Sequence, residues 1–286
     1  MLKELNDAMD YIDENIMEDL LLEDIFKSVN VSEYNFRKIF YYLSGMTLNE
    51  YVKNRRLSEA NIDLLKGERV TDIAFKYGYQ SLDGFTRAFK KWSGFLPSDI
   101  AKNRFIKTFP KLSFSLTMKG GISMKFKIEN MPAFNFVGVS KRVPMQFEGV
   151  NNSIVELAMS ITDEQREIMH SLQNIKPNEI VNVSYEADHQ FMKEEDYLTH
   201  LIGILTTDDY ESDLLDKITV EANMWAVFPN EGEFPRTLQD TFANIYSQWL
   251  PSSEYELVDA PMFSFSKLDD DNTHAYSEIW VAVNKK

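Results

Sequence analysis

Residues 34–45 read YNFRKIFYYLSG and residues 83–94 read DGFTRAFKKWSG, so one short pattern occurs twice, 49 positions apart. In each copy the apolar residues fall at i, i+3, i+4 and i+7. They are Phe36, Ile39, Phe40 and Leu43 in the first, and Phe85, Ala88, Phe89 and Trp92 in the second. That spacing puts four apolar side chains on one helical face. Both copies close on Ser-Gly. A repeat of this kind restricts the N-terminal third to an architecture holding the same helical unit twice.

What precedes each copy extends the unit. LLLEDIFKSV (20–29) has helical spacing through Leu21, Leu22, Ile25, Phe26 and Val29. Asn30-Val31 then breaks the period, and Ser32 is a good N-cap for the following helix. The outer face of that helix carries Tyr34, Arg37, Lys38 and Tyr41. In the second unit VTDIAFKY (70–77) supplies the first helix with Thr71 as its expected cap, Gly78 makes the turn, and Ser81 caps the second helix. Asp83, Thr86, Arg87 and Lys90 form its outer face, with Lys91 beside them. Helix, short turn and helix with a basic or aromatic outer face is a helix-turn-helix pattern. Residues 48–67 read as one linking helix ending at Gly67, with Val52, Leu57, Ala60, Leu64 and Leu65 as its buried face.

Charge separates this region from the rest. The chain carries −15 overall, yet residues 26–107 hold 15 basic and 8 acidic side chains, and residues 109–286 hold 14 and 28. A basic, repeated helical segment on an acidic chain fits a nucleic-acid-binding part joined to a part with another task.

Residues 5–107 resemble the DNA-binding domain of the AraC/XylS family of bacterial transcription regulators. The resemblance rests on LEDIFKSVNVSEYNFRKIFYYLSGMTLNEYVKNRRLSEA and on VTDIAFKYGYQSLDGFTRAFKKWSGFLPSDI. It implies seven helices, with two recognition helices entering successive major grooves on one face of duplex DNA. It also implies that Tyr34, Arg37 and Lys38 face DNA from the first unit, and Leu82, Asp83, Thr86 and Arg87 from the second. Asp83 departs from the family by placing an anion where a neutral polar residue is common, and Gly84 offers no side chain there. RNA polymerase is the further partner such a regulator implies.

After a connector at 108–123, in which Leu112, Phe114 and Leu116 alternate like a strand, the pattern changes. From Met124 onward, runs near 124–132, 133–144, 179–188, 197–207, 217–232, 255–268 and 275–285 read as strands. Helices are expected over 150–173 and over 233–251, the second stopping before Pro251. This is an α+β domain of two strand-helix-strand-strand halves, following an all-α double helix-turn-helix domain. The domains are thus expected at 1–107 and 124–286. The second resembles the GyrI-like effector-binding domain, through ANMWAVFPNEGEFPRTLQDTFANIYSQWLPSSEYELVDAPMFSFSK and SEIWVAV. That resemblance implies a groove between the helices, lined by aromatics and a carboxylate, that takes a small lipophilic and often cationic effector. Glu278 matches one acidic position of the family, whereas Ser264 stands where a second glutamate is common. Tyr185, Trp225, Tyr276 and Trp280 are the expected walls.

There is no cysteine, and His170, His189, His200 and His274 lack metal-ligand spacing. No phosphate-binding loop, dinucleotide fingerprint or nucleophile elbow occurs, so neither a cofactor nor catalysis is expected. No apolar run approaches the ~20 residues of a membrane span, and the acidic N-terminus does not read as a signal peptide. The expectation is a cytoplasmic, ligand-responsive regulator. Two other readings exist: a GyrI-like hydrolase of lipophilic electrophiles, and a protein-interaction module fused to a DNA-binding domain.

Overall fold

The computed structural model describes residues 2–18, 20, 33–115, 124–146, 149–186 and 197–286. Most of the helix expected over 20–29 lies outside these residues, as do Ser32 and His189. The described chain divides into two compact units. One holds residues 2–18, 20 and 44–115, and the other holds 33–43 and the described residues from 124 onward.

In the first unit the helices are α1 (Leu2–Glu14), α3 (Leu48–Leu65), α4 (Val70–Lys76), α5 (Leu82–Ser93) and α6 (Pro97–Asn103), while α2 (Glu33–Ser44) belongs to the second unit up to Leu43. Thr47 and Glu50 start α3 with a reciprocal capping box. The α3 residues Leu57, Ala60 and Leu64 pack with Ile73, Ala74, Phe85, Phe89 and Ile100 in one core, and Leu65 is only partly buried against it. Helix α4 begins at Val70, which also packs there, so the N-cap is Arg69 and Thr71 is not the cap expected from the sequence. Gly78 turns the chain into α5 at φ +80°, and a Cβ on it would stand 2.7 Å from Arg56 Nη1. The buried Arg56 guanidinium donates at 2.8 Å to the carbonyls of both Ile16 and Glu18. The repeated Ser-Gly has a shared physical cause. Gly45 and Gly94 both take positive φ. Ser44 Oγ accepts from the Met46 amide and donates to the Met46 carbonyl, and Ser93 Oγ does the same with Phe95.

Residues 108–115 form no strand, against the alternation of Leu112 and Phe114. Their backbone is held by side chains instead: Asn6 bonds both the amide (2.7 Å) and the carbonyl (2.9 Å) of Phe114.

The second unit is built on a nine-stranded antiparallel sheet: β1 (Lys127–Met131), β2 (Phe134–Pro144), β3 (Val181–Tyr185), β4 (Tyr197–Thr206), β5 (Asp216–Val220), β6 (Asn223–Glu233), β7 (Tyr255–Leu257), β8 (Phe263–Leu268) and β9 (His274–Lys285). The order is β1-β6-β9-β8-β3-β4-β2-β5, with β7 on β9. Strand β1 lies at one end of that order and β2 near the other, yet only Pro132 and Ala133 separate them. Glu221 and Ala222 separate β5 from β6 in the same way, which splits the single strand expected over 217–232. Two-residue links can span these positions only if the sheet curls until its ends meet. Met131 of β1 and Val220 of β5 accordingly share one core with Phe134, Phe136, Leu201, Trp225, Phe263 and Trp280.

Helices cover the outer face. The helix expected over 150–173 is two, α7 (Asn152–Ser160) and α8 (Asp163–Leu172), because Thr162 and Gln165 form a second capping box and restart it. Both pack on Val137, Ile202 and Ile204. Helix α9 starts at Arg236, passes through a π-helical turn at Ile245–Trp249 and ends at Ser252, with Pro251 inside its closing turn rather than beyond its end. Gly138 and Gly203 pair directly. A Cβ on either would lie 2.2 Å from a backbone oxygen of the other strand, so no larger residue fits. No helix among the described residues is long and apolar enough to cross a membrane.

Candidate functional site

The first candidate surface is α5. Phe85 and Phe89 point inward and are fully buried, as the spacing predicts. Ser81, Leu82, Asp83, Arg87, Lys90 and Lys91 are exposed, and Thr86 is half-buried. Ser81 caps the helix by accepting from the Gly84 amide at 3.1 Å. Asp83 stands in the first turn, where a carboxylate complements the positive end of the helix. The exposed arc therefore begins acidic and ends basic.

Helix α2, expected to be the first recognition helix, is placed differently from that expectation. Phe36, Ile39 and Phe40 are buried as predicted, but Arg37 is only 2% exposed and Lys38 6%. Tyr41 is half-buried, and the side chains of Ser32 and Tyr34 lie outside the described residues. Lys38 Nζ sits 3.3 Å above the centre of the Phe242 ring and 3.3 Å from Met262 Sδ, to which it donates. Tyr42 stacks on Phe242 and Tyr246 at 6.5 Å and 6.2 Å. Burial pushes the Lys38 ammonium down to about 7. Periodicity assigned α2 one buried face and one outer face. Here a second face is covered too, because the long stem of Lys38 packs among apolar groups.

The second candidate site is a cavity of about 540 Å³ on the inner face of the curled sheet. That volume lies within the range of small-molecule sites. Lys127, Glu129 and Met131 of β1 line it, with Phe265 and Lys267 of β8, Tyr276, Glu278 and Trp280 of β9, and residues 175–179. Strand parity explains the set: Phe265 pairs with Glu278 and Lys267 with Tyr276, so their side chains share a face. No residue of α7, α8 or α9 lines the cavity, so it is not the groove between helices that the resemblance implied.

Glu278, 9% exposed, is held from two sides. The Tyr276 hydroxyl donates to one carboxylate oxygen at 2.8 Å, and the Trp280 indole N–H donates to the other at 3.0 Å. Burial, reinforced by the Glu278 hydrogen bond and charge, pushes the Tyr276 phenol up to about 12, so it remains a donor at neutral pH.

Two expected wall residues, Trp225 and Tyr185, and the expected site residue Ser264 do not line the cavity. Trp225 shares its face of the sheet but is fully buried, ringed by Phe134 and Phe263, and its indole nitrogen has no hydrogen-bond partner among the described residues. Ser264 has the opposite parity to Phe265 on β8. Tyr185 packs against the edge of the inner core from β3. Conversely, Lys127, Glu129, Lys176, Glu179 and Lys267 were missed. They sit on a strand edge and a loop, where apolar periodicity carries no signal. His200 is a core histidine, bonded to Ser184 and Asn182 and lowered to about 4 by burial and by the Lys38 charge. Among the described residues no cluster could hold a metal.

Two families match the chain in separate stretches. The GyrI-like small molecule binding domain family matches residues 124–284, and a helix-turn-helix domain family matches residues 25–103. The Tn10 TetD protein of Escherichia coli is 32% identical over 101 residues, covering 35% of this chain and 73% of that protein. Regulatory protein SoxS of Escherichia coli K12 is 33% identical over 98 residues, covering 34% and 92%. The structure of SAV2435 bound to tetraphenylphosphonium matches 56% of this chain and 94% of its own, at 18% identity and TM-score 0.41, too distant to speak for the ligand of this chain. Of these, SoxS is by name a regulatory protein. The chain belongs to the AraC/XylS family of ligand-responsive transcription regulators, with a GyrI-like small molecule binding domain as its C-terminal half.

Proposed function

We propose that this protein is a one-component regulator in which residues 1–107 bind a specific duplex DNA site and residues 124–286 bind a small lipophilic effector, joined by residues 108–123. The observation that carries the effector half is the cavity itself: a carboxylate, a phenol and an indole, bonded to one another, at an opening of ligand size. The exposed Arg87, Lys90 and Lys91 of α5 support the DNA half. Arg87 is the side chain best suited to a base edge, since guanidinium pairs bidentately with guanine. RNA polymerase is the partner through which such a protein would act on transcription. The test is selection of genomic fragments by the full chain, followed by footprinting. The expected footprint covers two major-groove segments about one helical turn, ~34 Å, apart on one face. Protection of a single segment, or no sequence preference, would reject the paired reading.

A further inference from the structure

The two copies of the repeated helix, α2 and α5, differ in how their outer faces are covered. The inner residues are buried in both: Phe36 and Phe40 in α2, Phe85 and Phe89 in α5. The repeat matches Lys38 to Arg87, Tyr41 to Lys90 and Tyr42 to Lys91. Those three positions of α5 are exposed, whereas Lys38 is buried and Tyr41 and Tyr42 are half-buried. The face that α5 turns to solvent, α2 turns onto α9, which belongs to the same compact unit. Tyr42 stacks on Phe242 and Tyr246 of α9, and the Lys38 ammonium lies over the Phe242 ring. Lys38 and the Tyr246 hydroxyl both donate to Met262 Sδ. Side chains enclosed in this way cannot reach a phosphate or a base edge, because DNA contact needs the same atoms. The seat also opposes the charge it encloses, since burial lowers the Lys38 ammonium from its ordinary 10.5 to about 7.

We infer that α9 holds α2 in an autoinhibitory contact: the ring surface of Phe242 and Tyr246 competes with duplex DNA for one face of α2, so the first unit reads DNA only after Lys38 and Tyr42 leave α9. The seated conformation is the DNA-free one. Apparent DNA affinity is reduced by the fraction of molecules in which α2 is seated, and DNA at saturation draws α2 out. Helix α5, with its outer face open, contacts DNA in either conformation. This inference rests on the DNA half of the proposed function.

Footprinting of the full chain on the selected site tests both, because the two units protect separate segments. The chain has no cysteine, so the double variant Tyr42→Cys/Phe242→Cys can be bridged at those two positions alone with a reducible bifunctional maleimide. The bridged protein should protect only the segment under α5, which also shows that it is folded, and reduction of the bridge should restore the other segment. Phe242→Leu removes the ring and keeps an apolar side chain. It should tighten DNA binding about tenfold, the size of one cation–π contact with one ring stack. Protection of both segments by the bridged protein would overturn the inference and leave the DNA reading standing. So would a Phe242→Leu variant that protects both segments with unchanged affinity. A footprint confined to the α5 segment in every form would overturn it too, since α2 would then not read DNA. No footprint in any form, Phe242→Leu included, would reject the DNA reading and this inference with it.

Discussion

Asp63 shows how much one side chain contributes to the helix-turn-helix scaffold. Its carboxylate receives Lys76 at 2.7 Å, Lys66 at 2.9 Å and the Tyr77 hydroxyl at 2.7 Å, tying the linking helix α3 to α4. Burial alone would raise its pKa, but the bonds from Lys76, Lys66 and Tyr77 outweigh it and hold the group at about 2. A depressed carboxylate stabilises the fold above its unfolded pKa near 3.8, and that contribution is lost as pH falls through 2. Asp63→Asn should cost about 1–3 kcal/mol near neutral pH, the range for hydrogen bonds to a charged group. Melting curves from pH 7 down to 2 (a span set by that shift) should converge for the two proteins at the acid end. Equal stability at neutral pH would show that the cluster is only solvated. At Asp83 the expectation runs the other way. Ser81 already caps α5, and Asp83 has the wrong sign for phosphates. Asp83→Asn should leave DNA affinity unchanged or tighten it, measured by anisotropy on the selected site, and a large loss would assign Asp83 a base contact.

At the scale of elements, α2 poses the sharpest question. Helix α2, which the sequence led one to expect as a DNA-reading helix, has Lys38 inside, against Phe242, Tyr246 and Met262. With its pKa lowered from 10.5 to about 7, Lys38 opposes this packing wherever its unfolded form is charged. Stability from this group is therefore present above pH 10.5 and falls as pH drops toward 7. Lys38→Met keeps the length and apolar stem and removes the charge. The variant should melt higher near pH 7 and show a flatter pH dependence up to pH 10, within the same titration window. A lower melting temperature for Lys38→Met would show that the ammonium is stabilising where it lies.

For the molecule as a whole, charge is divided along the chain: residues 26–107 carry +7 and residues 109–286 carry −14. Binding to DNA through the basic segment releases condensed counterions, so affinity should fall steeply with salt. The logarithmic slope should drop by about one for each phosphate-contacting lysine or arginine removed from α5, tested with Lys90→Gln and Lys91→Gln. A slope unchanged in both variants would place the DNA elsewhere.

Much of this protein is written in local pattern. The two repeated helices, Ser81 and the closing Ser-Gly of each copy follow from spacing, side-chain capping and glycine's access to positive φ, all interactions of a residue with its near neighbours. So does the second half's strand content, and even the break between α7 and α8, since Thr162-x-x-Gln165 is a capping signal overlooked in an otherwise apolar run. The cavity was legible only in part. Glu278 and Trp280 share a face because of strand parity, and Tyr276 is two residues away. Trp225 has the same parity and is core, because depth beneath the sheet depends on where Phe134 and Phe263 come to lie. The two halves show the same limit. Strand β4 places Thr199, Leu201 and Gly203 where β9 places Tyr276, Glu278 and Trp280, given the matching registers of β2 with β4 and β6 with β9. The first half sets Leu201 into the core at the position where the second presents Glu278 to the cavity. The place of Lys127 in the cavity and the buried face of α2 come from contacts between residues more than a hundred positions apart, Lys127 with Trp280 and Lys38 with Met262. No periodicity within a single segment encodes such contacts, because they depend on how the chain closes on itself.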